Sequence, residues 1–431
     1  MLEAEDKNIA QMKSARISNT QVSNTQIDKS QAPIRVLHVF GRVGLGGAES
    51  RIMDMYRNMD RSKVQFDFLV HASAKKTGKK CPTSDELMAV REPDYYDDEI
   101  RRLGGNIYVV PRFEGKNFIE YKKAIERLFT DNKGKWDIVH GHMTSTAAIY
   151  LPIAKKKGLA KITIAHSRNA GTEPGIKGLA TKFFRLPLKK KGTADFYFTC
   201  SEIAGRAVFG DRLFDKGYVT TIPNAIDVAK FKYDYAIRDK IRKELGVDED
   251  TVVIGHIGRF DYQKNHEFLI KIFASLLSKT DKKMKLILIG KGDLTEKVRQ
   301  QVMDLGINDN VMFLGLKSNA ADYYRAMDYF LFPSFYEGLP GTVVEAQAAC
   351  LKCLISDTIT QEVHLTDLVS SMSLDKGADE WADKILQDID AGNDREADTP
   401  KYASILREKG FDAKTQSERM SYFYLHGSFK N

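Results

Sequence analysis

At 431 residues the chain exceeds what one ordinary hydrophobic core organises, so two domains are the natural expectation. Apolar residues make up 42% and charged ones 29%, the balance of a globular protein, and no run of 18 apolar residues offers a transmembrane helix. The formal net charge of +8 suits anionic surfaces or phosphorylated substrates; nucleic acid is set aside because no aromatic residues interleave with the basic clusters.

Residues 1–33 are polar, rich in Ser, Asn, Gln and Thr, and lack the apolar core of a secretory signal; they predict a disordered tail. IRVLHVF (34–40) is a β-branched run expected as a buried parallel strand. It leads through Gly41, Gly44, Gly46 and Gly47 into a helix from Ala48, on which Ile52, Met55, Tyr56 and Met59 recur at helical spacing. Strand, glycine-rich turn and helix form a phosphate-approach arrangement, although GRVGLGGAE does not match the dinucleotide fingerprint and argues against nicotinamide. Further strands are predicted at 64–70, 106–110, 136–140, 161–165, 195–199 and 219–222. Residues 72–98, with AKKTGKK and PDYYDDE, read as a polar excursion or mobile loop. The basic clusters at Lys155, Lys156 and Lys157 and at 185–191 (RLPLKKK) read either as solvated helix ends or as contacts with an anionic membrane face.

A second block begins after PNAIDVAKF (223–231), with strands predicted near 252–257, 285–290, 311–314, 328–332 and 351–355 and helices between them. Two α/β blocks with parallel sheets, joined near residue 228, imply a ligand cleft between domains. AGNDREADTP, after about residue 390, reads as a loop. Of four cysteines, Cys350 and Cys353 have redox or zinc spacing, but no second pair or histidine cluster completes a metal site, so packed thiols are expected.

The chemistry concentrates in the second block. In GHIGRFDYQKN, Arg259 and Lys264 stand just past a strand, before a helix from about Asn265, where two cations can converge on an anion. LILIGKGD (286–293) ends a strand at Gly290 and Gly292. LFPSFYEGLPGTVVEAQA (331–348) runs from an apolar strand through Glu337, Gly338, Leu339, Pro340 and Gly341 into a helix at about Thr342. Glycines and a helix start suit a phosphate, and Glu337 and Glu345 can grip hydroxyls beside it, which describes a nucleotide-sugar site. In the first block, KITIAHSRNAG places His166 at a strand end, followed by Ser167, Arg168 and Asn169. DIVHGHM adds His140 and His142, ranked below His166; a zinc pair there lacks a clear third ligand.

The ordered motifs GGAE, AHSRN, TCSE, IPNAID, GRFDYQKN, LIGKGD and FPSFYEGLPGTVVEA, spread over residues 34–425, resemble retaining GT-B glycosyltransferases, especially family 4. The resemblance implies an α/β GT-B fold: a Rossmann-like acceptor domain over 34–228, a nucleotide-sugar donor domain over 229–412, and a helix at about 413–426 crossing back to the first. It implies that Glu337 meets the donor sugar, Glu345 the ribose, and Arg259 and Lys264 the pyrophosphate. Gly46 and Gly47 would approach the donor phosphates or acceptor, Gly290 would lie near the phosphates, and Leu316 and Lys317 would border the base, most commonly uracil. His166 would face the donor sugar. No well-placed carboxylate nucleophile occurs in the first block, so retention would rest on front-face displacement, without a cofactor or divalent metal. The AHSRN form resembles enzymes of bacterial capsule or exopolysaccharide synthesis. They are cytoplasmic, at the inner membrane face, and move a hexose or N-acetylhexosamine to a lipid-linked or saccharide acceptor. Alternatives are a starch- or sucrose-type synthase with a soluble acceptor and a non-catalytic nucleotide-sugar-binding scaffold. A glycoside hydrolase is disfavoured, because it needs one acid held protonated and these two flank a phosphate-type helix start.

Overall fold

The computed structural model describes residues 32–168 and 176–430. Nearly all of the expected tail, and Asn169, lie outside the described residues. The chain divides into two compact units, one ending at Ile222 and taking in Ser417–Asn431, the other Pro223–Gln416. The division falls shortly before residue 228. The last helix, Ala413–His426, begins in the second unit and belongs to the first from Ser417 onward.

The strands of the first unit are β1 (Ile34–Val39), β2 (Val64–Ala72), β3 (Ile107–Pro111), β4 (Ile138–Gly141), β5 (Ile162–Ser167), β6 (Phe196–Thr199) and β7 (Val219–Thr221). They form one sheet in the order β3-β2-β1-β4-β5-β6-β7, every pair parallel. Helical crossovers cover both faces, which explains why these strands read as near-continuous apolar runs. Alternation on β1 sends Leu37 and Val39 to a core with Tyr121, Phe129 and Tyr150, and Val36 to a core with Phe66, Phe423 and Tyr424. The final helix thus helps to cover the face from which His38 projects, since His38 shares its parity with Val36. In β2, the buried Asp67 accepts hydrogen bonds from Arg35, Asn106 and the indole of Trp136, which offsets its desolvation.

The second unit holds β8 (Val252–Ile257), β9 (Met284–Ile289), β10 (Val311–Gly315), β11 (Tyr329–Phe332), β12 (Lys352–Ser356) and β13 (Val369–Met372). Their order is β10-β9-β8-β11-β12-β13, again all parallel. β8 and β11 are neighbours although distant in sequence. Their carboxyl ends, carrying residues 258–264 and 333–341, are therefore brought side by side, at the crevice where such sheets hold ligands.

Two expectations are corrected, and one strand, β13, comes unannounced. Residues 72–98 are not a bare loop: they contain helices Ser84–Val90 and the start of Asp97–Arg102, the first closed by a reciprocal Thr83–Glu86 capping box. The stretch around AGNDREADTP is helical from Arg395 to Glu408, capped by Asp394, whose carboxylate accepts from the Ala397 amide; Pro400 is tolerated inside it. β13, VSSM, is a polar edge strand that no apolar run announces.

Candidate functional site

Residues 258–264 leave β8 through Gly258 and form a 3-10 turn, Tyr262–Lys264, whose N-cap is the Asp261 carboxylate. Three contacts fasten this turn to the loop after β11. The Phe335 amide donates to the Gln263 carbonyl at 2.9 Å, the Gln263 side chain to the Tyr336 carbonyl at 2.9 Å, and the Asn265 side chain to the Pro333 carbonyl at 3.1 Å. The rings of Tyr262 and Phe335 stack at 4.7 Å. Fixed by these, Lys264 Nζ lies 2.5 Å from Glu337 Oε1 and 4.6 Å from the centre of the Phe332 ring. The pair is largely shielded, with side chains 15% and 10% exposed. Arg259 is the opposite: its side chain is 76% exposed and only loosely attracted to Asp261 at 3.9 Å, so it can close on an incoming anion.

Past Glu337 the backbone enters the Gly341–Ala348 helix, with Pro340 at the N-cap. The amides of Gly341 and Thr342 open the helix ahead of its first bonds, from Val343 and Val344 to the Pro340 carbonyl, and the helix carries positive charge at that end. Glu345 is buried on this helix and accepts from the Tyr324 hydroxyl at 2.9 Å. Two buried hydroxyls in the same stretch, Ser334 Oγ and Thr342 Oγ1, have no partner among the described residues. Neither is legible in the sequence, because a single Ser or Thr carries no sign there of whether its hydroxyl will be buried.

Gly290 has a structural reason beyond ligand approach. It adopts φ +147°, and a Cβ there would stand 1.9 Å from the Gly258 carbonyl oxygen. At Gly292 a Cβ would stand 2.2 Å from the Phe260 carbonyl. The two glycines let the strand ends of β8 and β9 touch. Leu316, directly after β10, is 58% exposed, and the Lys317 ammonium lies over the Tyr323 ring at 5.4 Å. Beneath the Lys264 turn, His256 and the Phe260-stacked His266 are buried imidazoles whose pKa values fall mainly through desolvation, His266 to about 4.

In the first unit, the structure joins His166 to both lower-ranked histidines and to His38, which sequence reading passed over as part of a strand. His38 and His140 are register partners on β1 and β4, and His166 lies one pleat further on in β5. Two hydrogen-bonded lines result. Arg168 Nε donates to His142 Nδ1 at 3.1 Å, and His142 Nε2 meets His38 Nδ1 at 3.0 Å. The Tyr424 hydroxyl meets His140 Nδ1 at 2.8 Å, and His140 Nε2 meets His166 Nδ1 at 2.9 Å. Arginine only donates, so His142 carries its proton on Nε2 and His38 on Nε2. The phenol of Tyr424 has one proton and no other partner among the described residues, so it donates, leaving His140 and then His166 protonated on Nε2. Both lines end in a buried Nε2–H without a partner among the described residues, on His38 and on His166.

Burial, then the Arg168 charge, holds the His38 and His166 pKa values well below the ordinary value; burial and neighbouring imidazoles do the same for His140 and His142. Burial also draws Arg168 down to about 10. The ring nitrogens of His38, His140 and His142 come within 4.8 Å of one another. They do not suit a divalent cation: a guanidinium presses on the cluster, and both nitrogens of His140 and His142 are engaged.

Gly46 and Gly47 differ. A Cβ on Gly46 would stand 2.2 Å from the Glu49 carboxylate, whereas one on Gly47 would meet nothing within 4 Å. Gly47 therefore owes its place to no packing contact of the described chain. Burial raises the Glu49 pKa, against the pull of its own amide and of Arg168. Cys350, at φ +57° just past a helix, and Cys353 in β12 are buried, their thiols pushed up by desolvation, as expected of packed sulfur.

Family models match in two adjoining stretches: Glycosyltransferase Family 4 over residues 45–230 and Glycosyl transferases group 1 over residues 237–403. The chain is 33% identical to the glycosyltransferase EpsF of Bacillus subtilis, covering 88% of this chain and 93% of that one. It is 26% identical to the capsular polysaccharide biosynthesis glycosyltransferase CapH of Staphylococcus aureus, covering 91% and 99%. Anabaena HepE, crystallised with UDP, superposes with a TM-score of 0.66 at 17% identity, covering 90% of this chain and 98% of that one.

Proposed function

The chain belongs to glycosyltransferase family 4 and has the GT-B fold, and from this premise we propose a retaining hexosyltransferase of capsule or exopolysaccharide biosynthesis. Its donor would be a UDP-sugar carrying a hexose or N-acetylhexosamine, and its acceptor a lipid-linked or saccharide chain at the inner membrane face. The observation that carries this reading is the Lys264–Glu337 pair, held by three loop contacts beside a helix start and the exposed Arg259.

Each residue then has a task. As the glycosidic bond to the diphosphate breaks, charge grows on the leaving oxygen, and Lys264 and Arg259 stabilise it most at that moment. These two cations, Lys264 held in place and Arg259 free to close, take the part a divalent metal plays elsewhere, so none is required. Glu337 orients the sugar through its hydroxyls while fixing Lys264, and Glu345 accepts from the ribose as it does from Tyr324. Gly47 leaves room for the backbone to approach the donor. His166, protonated on Nε2 and neutral, donates to a sugar hydroxyl and holds the reacting carbon in place. The donor phosphate takes the acceptor proton, and transfer proceeds on one face.

The name of CapH and the UDP bound to HepE support the pathway and the base. The test is transfer from UDP-glucose, UDP-galactose and their N-acetyl forms to diphosphate-lipid acceptors, with the product anomer read by NMR. An α-linked product from an α-donor is expected; inversion would sink the mechanism, and no transfer from any UDP-sugar would sink the donor assignment.

A further inference from the structure

We propose that the first unit docks on a bilayer rich in anionic phospholipid, through an apolar helix face and the basic cavity that follows it in the chain. On the Ile176–Arg185 helix and the turn after it, Leu179, Phe183 and Leu186 are 67%, 66% and 52% exposed. Positions i, i+4 and i+7 share one helical face, so these side chains form a stripe rather than scattered exposures. The neighbouring Phe184 points inward and meets Phe113 edge-on at 4.8 Å, which pins the helix with its stripe outward. Phe118, near Phe184 at 6.3 Å, and Ile119 add exposed apolar surface at the start of the adjacent Phe118–Asp131 helix.

The chain then makes a 3-10 turn, Leu186–Lys189, anchored by the fully buried Leu188, and delivers Lys189, Lys190 and Lys191 to a cavity of about 260 Å³. Arg212 and Lys216 line its other side, and no carboxylate does. Among the described residues none of these five cations has an ion-pair partner. The nearby acids Asp211 and Asp215 are both held by Arg206, at 3.1 and 2.8 Å. Five cations without a carboxylate partner among the described residues, one of them, Lys191, resting over the Tyr218 ring at 4.3 Å, gather at this cavity and are best relieved by an anion, and the adjoining stripe favours an anion that comes with an apolar phase. A phospholipid surface supplies both, taking the stripe at the acyl boundary and headgroup phosphates at the cavity. A second copy of this chain would bring the same positive charge and repel. A nucleic acid would leave the stripe in water.

This surface deepens the proposed function, on which it rests for the lipid-linked acceptor alone. The test is flotation of the full chain with vesicles of phosphatidylglycerol and phosphatidylcholine, against phosphatidylcholine alone, with UDP-induced melting shifts recorded on the same samples. Binding to the anionic vesicles and little to the neutral ones is expected. Lys189→Gln/Lys190→Gln/Lys191→Gln should lose about fivefold in partitioning per cation removed. Leu179→Ser/Phe183→Ser should lose binding while its melting temperature and UDP response stay near those of the parent. Equal binding to both vesicles, unchanged binding in either folded variant, or no flotation would overturn the proposal. So would a dimer that Leu179→Ser/Phe183→Ser converts to monomer. A chain that floats but ignores nucleotides would leave docking standing and remove the transferase reading; one that binds UDP and does not float does the reverse.

Discussion

Lys264 and Glu337, on loops leaving two strands that are neighbours in space and distant in sequence, meet at 2.5 Å with most of both side chains shielded from water. Removing either leaves a partly buried charge without its partner. Lys264→Ala and Glu337→Ala should each lower kcat by roughly 10²–10³, the scale of losing one group that stabilises transition-state charge. Each should cost about 1–3 kcal/mol of stability, and the double variant less than the sum. Steady-state transfer rates and urea midpoints read both effects; near-normal transfer in either single variant would contradict the site.

The Tyr424 proton sets the tautomer of His166 through His140. Tyr424→Phe keeps the ring in its core and removes that proton, so His166 loses its bias toward Nε2–H. The expected result is a fall in kcat of about tenfold, at the low end for a positioning group, with stability reduced by about 1 kcal/mol. Nitrogen NMR of the imidazoles reads the tautomer directly, and an unchanged His166 spectrum would refute the relay.

Buried neutral histidines make the fold acid-labile. His38, His140, His142, His166 and His256 have pKa values well below 6.5 in the folded state, and His71 and His266 fall to about 4. The unfolded chain binds these protons first, so the stabilisation is complete above about pH 6.5 and is lost as pH falls below it. Each such imidazole adds about 1.4 kcal/mol per pH unit to the slope. Melting curves between pH 8 and 4.5 should show a steep decline starting near 6.5; a flat profile down to pH 5 would contradict the burial.

The two glycine loops separate packing from ligand approach. Gly290→Ala forces a Cβ onto the Gly258 carbonyl at a positive φ and should cost more than about 2 kcal/mol, or prevent folding. Gly47→Ala meets no neighbour within 4 Å, so its melting temperature should match the parent while donor or acceptor KM rises. Unequal KM and equal stability in Gly47→Ala is the informative pattern; a large stability loss would contradict the open space seen there.

Most of the scaffold was legible because buried parallel strands such as IRVLHV and MKLILI announce themselves as apolar runs, and helices such as Gly47–Arg57 by period. VSSM in β13 carries no such signal, since an edge strand is shaped by its neighbour β12. The Ser84–Val90 helix had one: Thr83 followed by Glu86 is a capping box, obscured by the surrounding charge. In the candidate site, Arg259 with Lys264 and Glu337 with Glu345 could each be singled out within one stretch that holds glycines and a helix start, but only the order of β8 and β11 shows that the two stretches meet. His38 was missed because its partners His140, His142 and Tyr424 lie about one hundred to nearly four hundred residues away and only the sheet order unites them. The stripe at Leu179, Phe183 and Leu186 has the same period as a core-facing helix, and sequence alone does not show which face is covered.

The proposed nucleotide-sugar donor site is built around Lys264 in the second unit. Its most direct test is the melting temperature of the parent and of Lys264→Ala with UDP, GDP, ADP and their sugar conjugates, because a ligand that binds only the folded chain must stabilise it. A rise is expected for the parent with UDP and UDP-sugars, and a much smaller one for Lys264→Ala. No shift with any nucleotide at millimolar concentration, or an equal shift in both proteins, would contradict it.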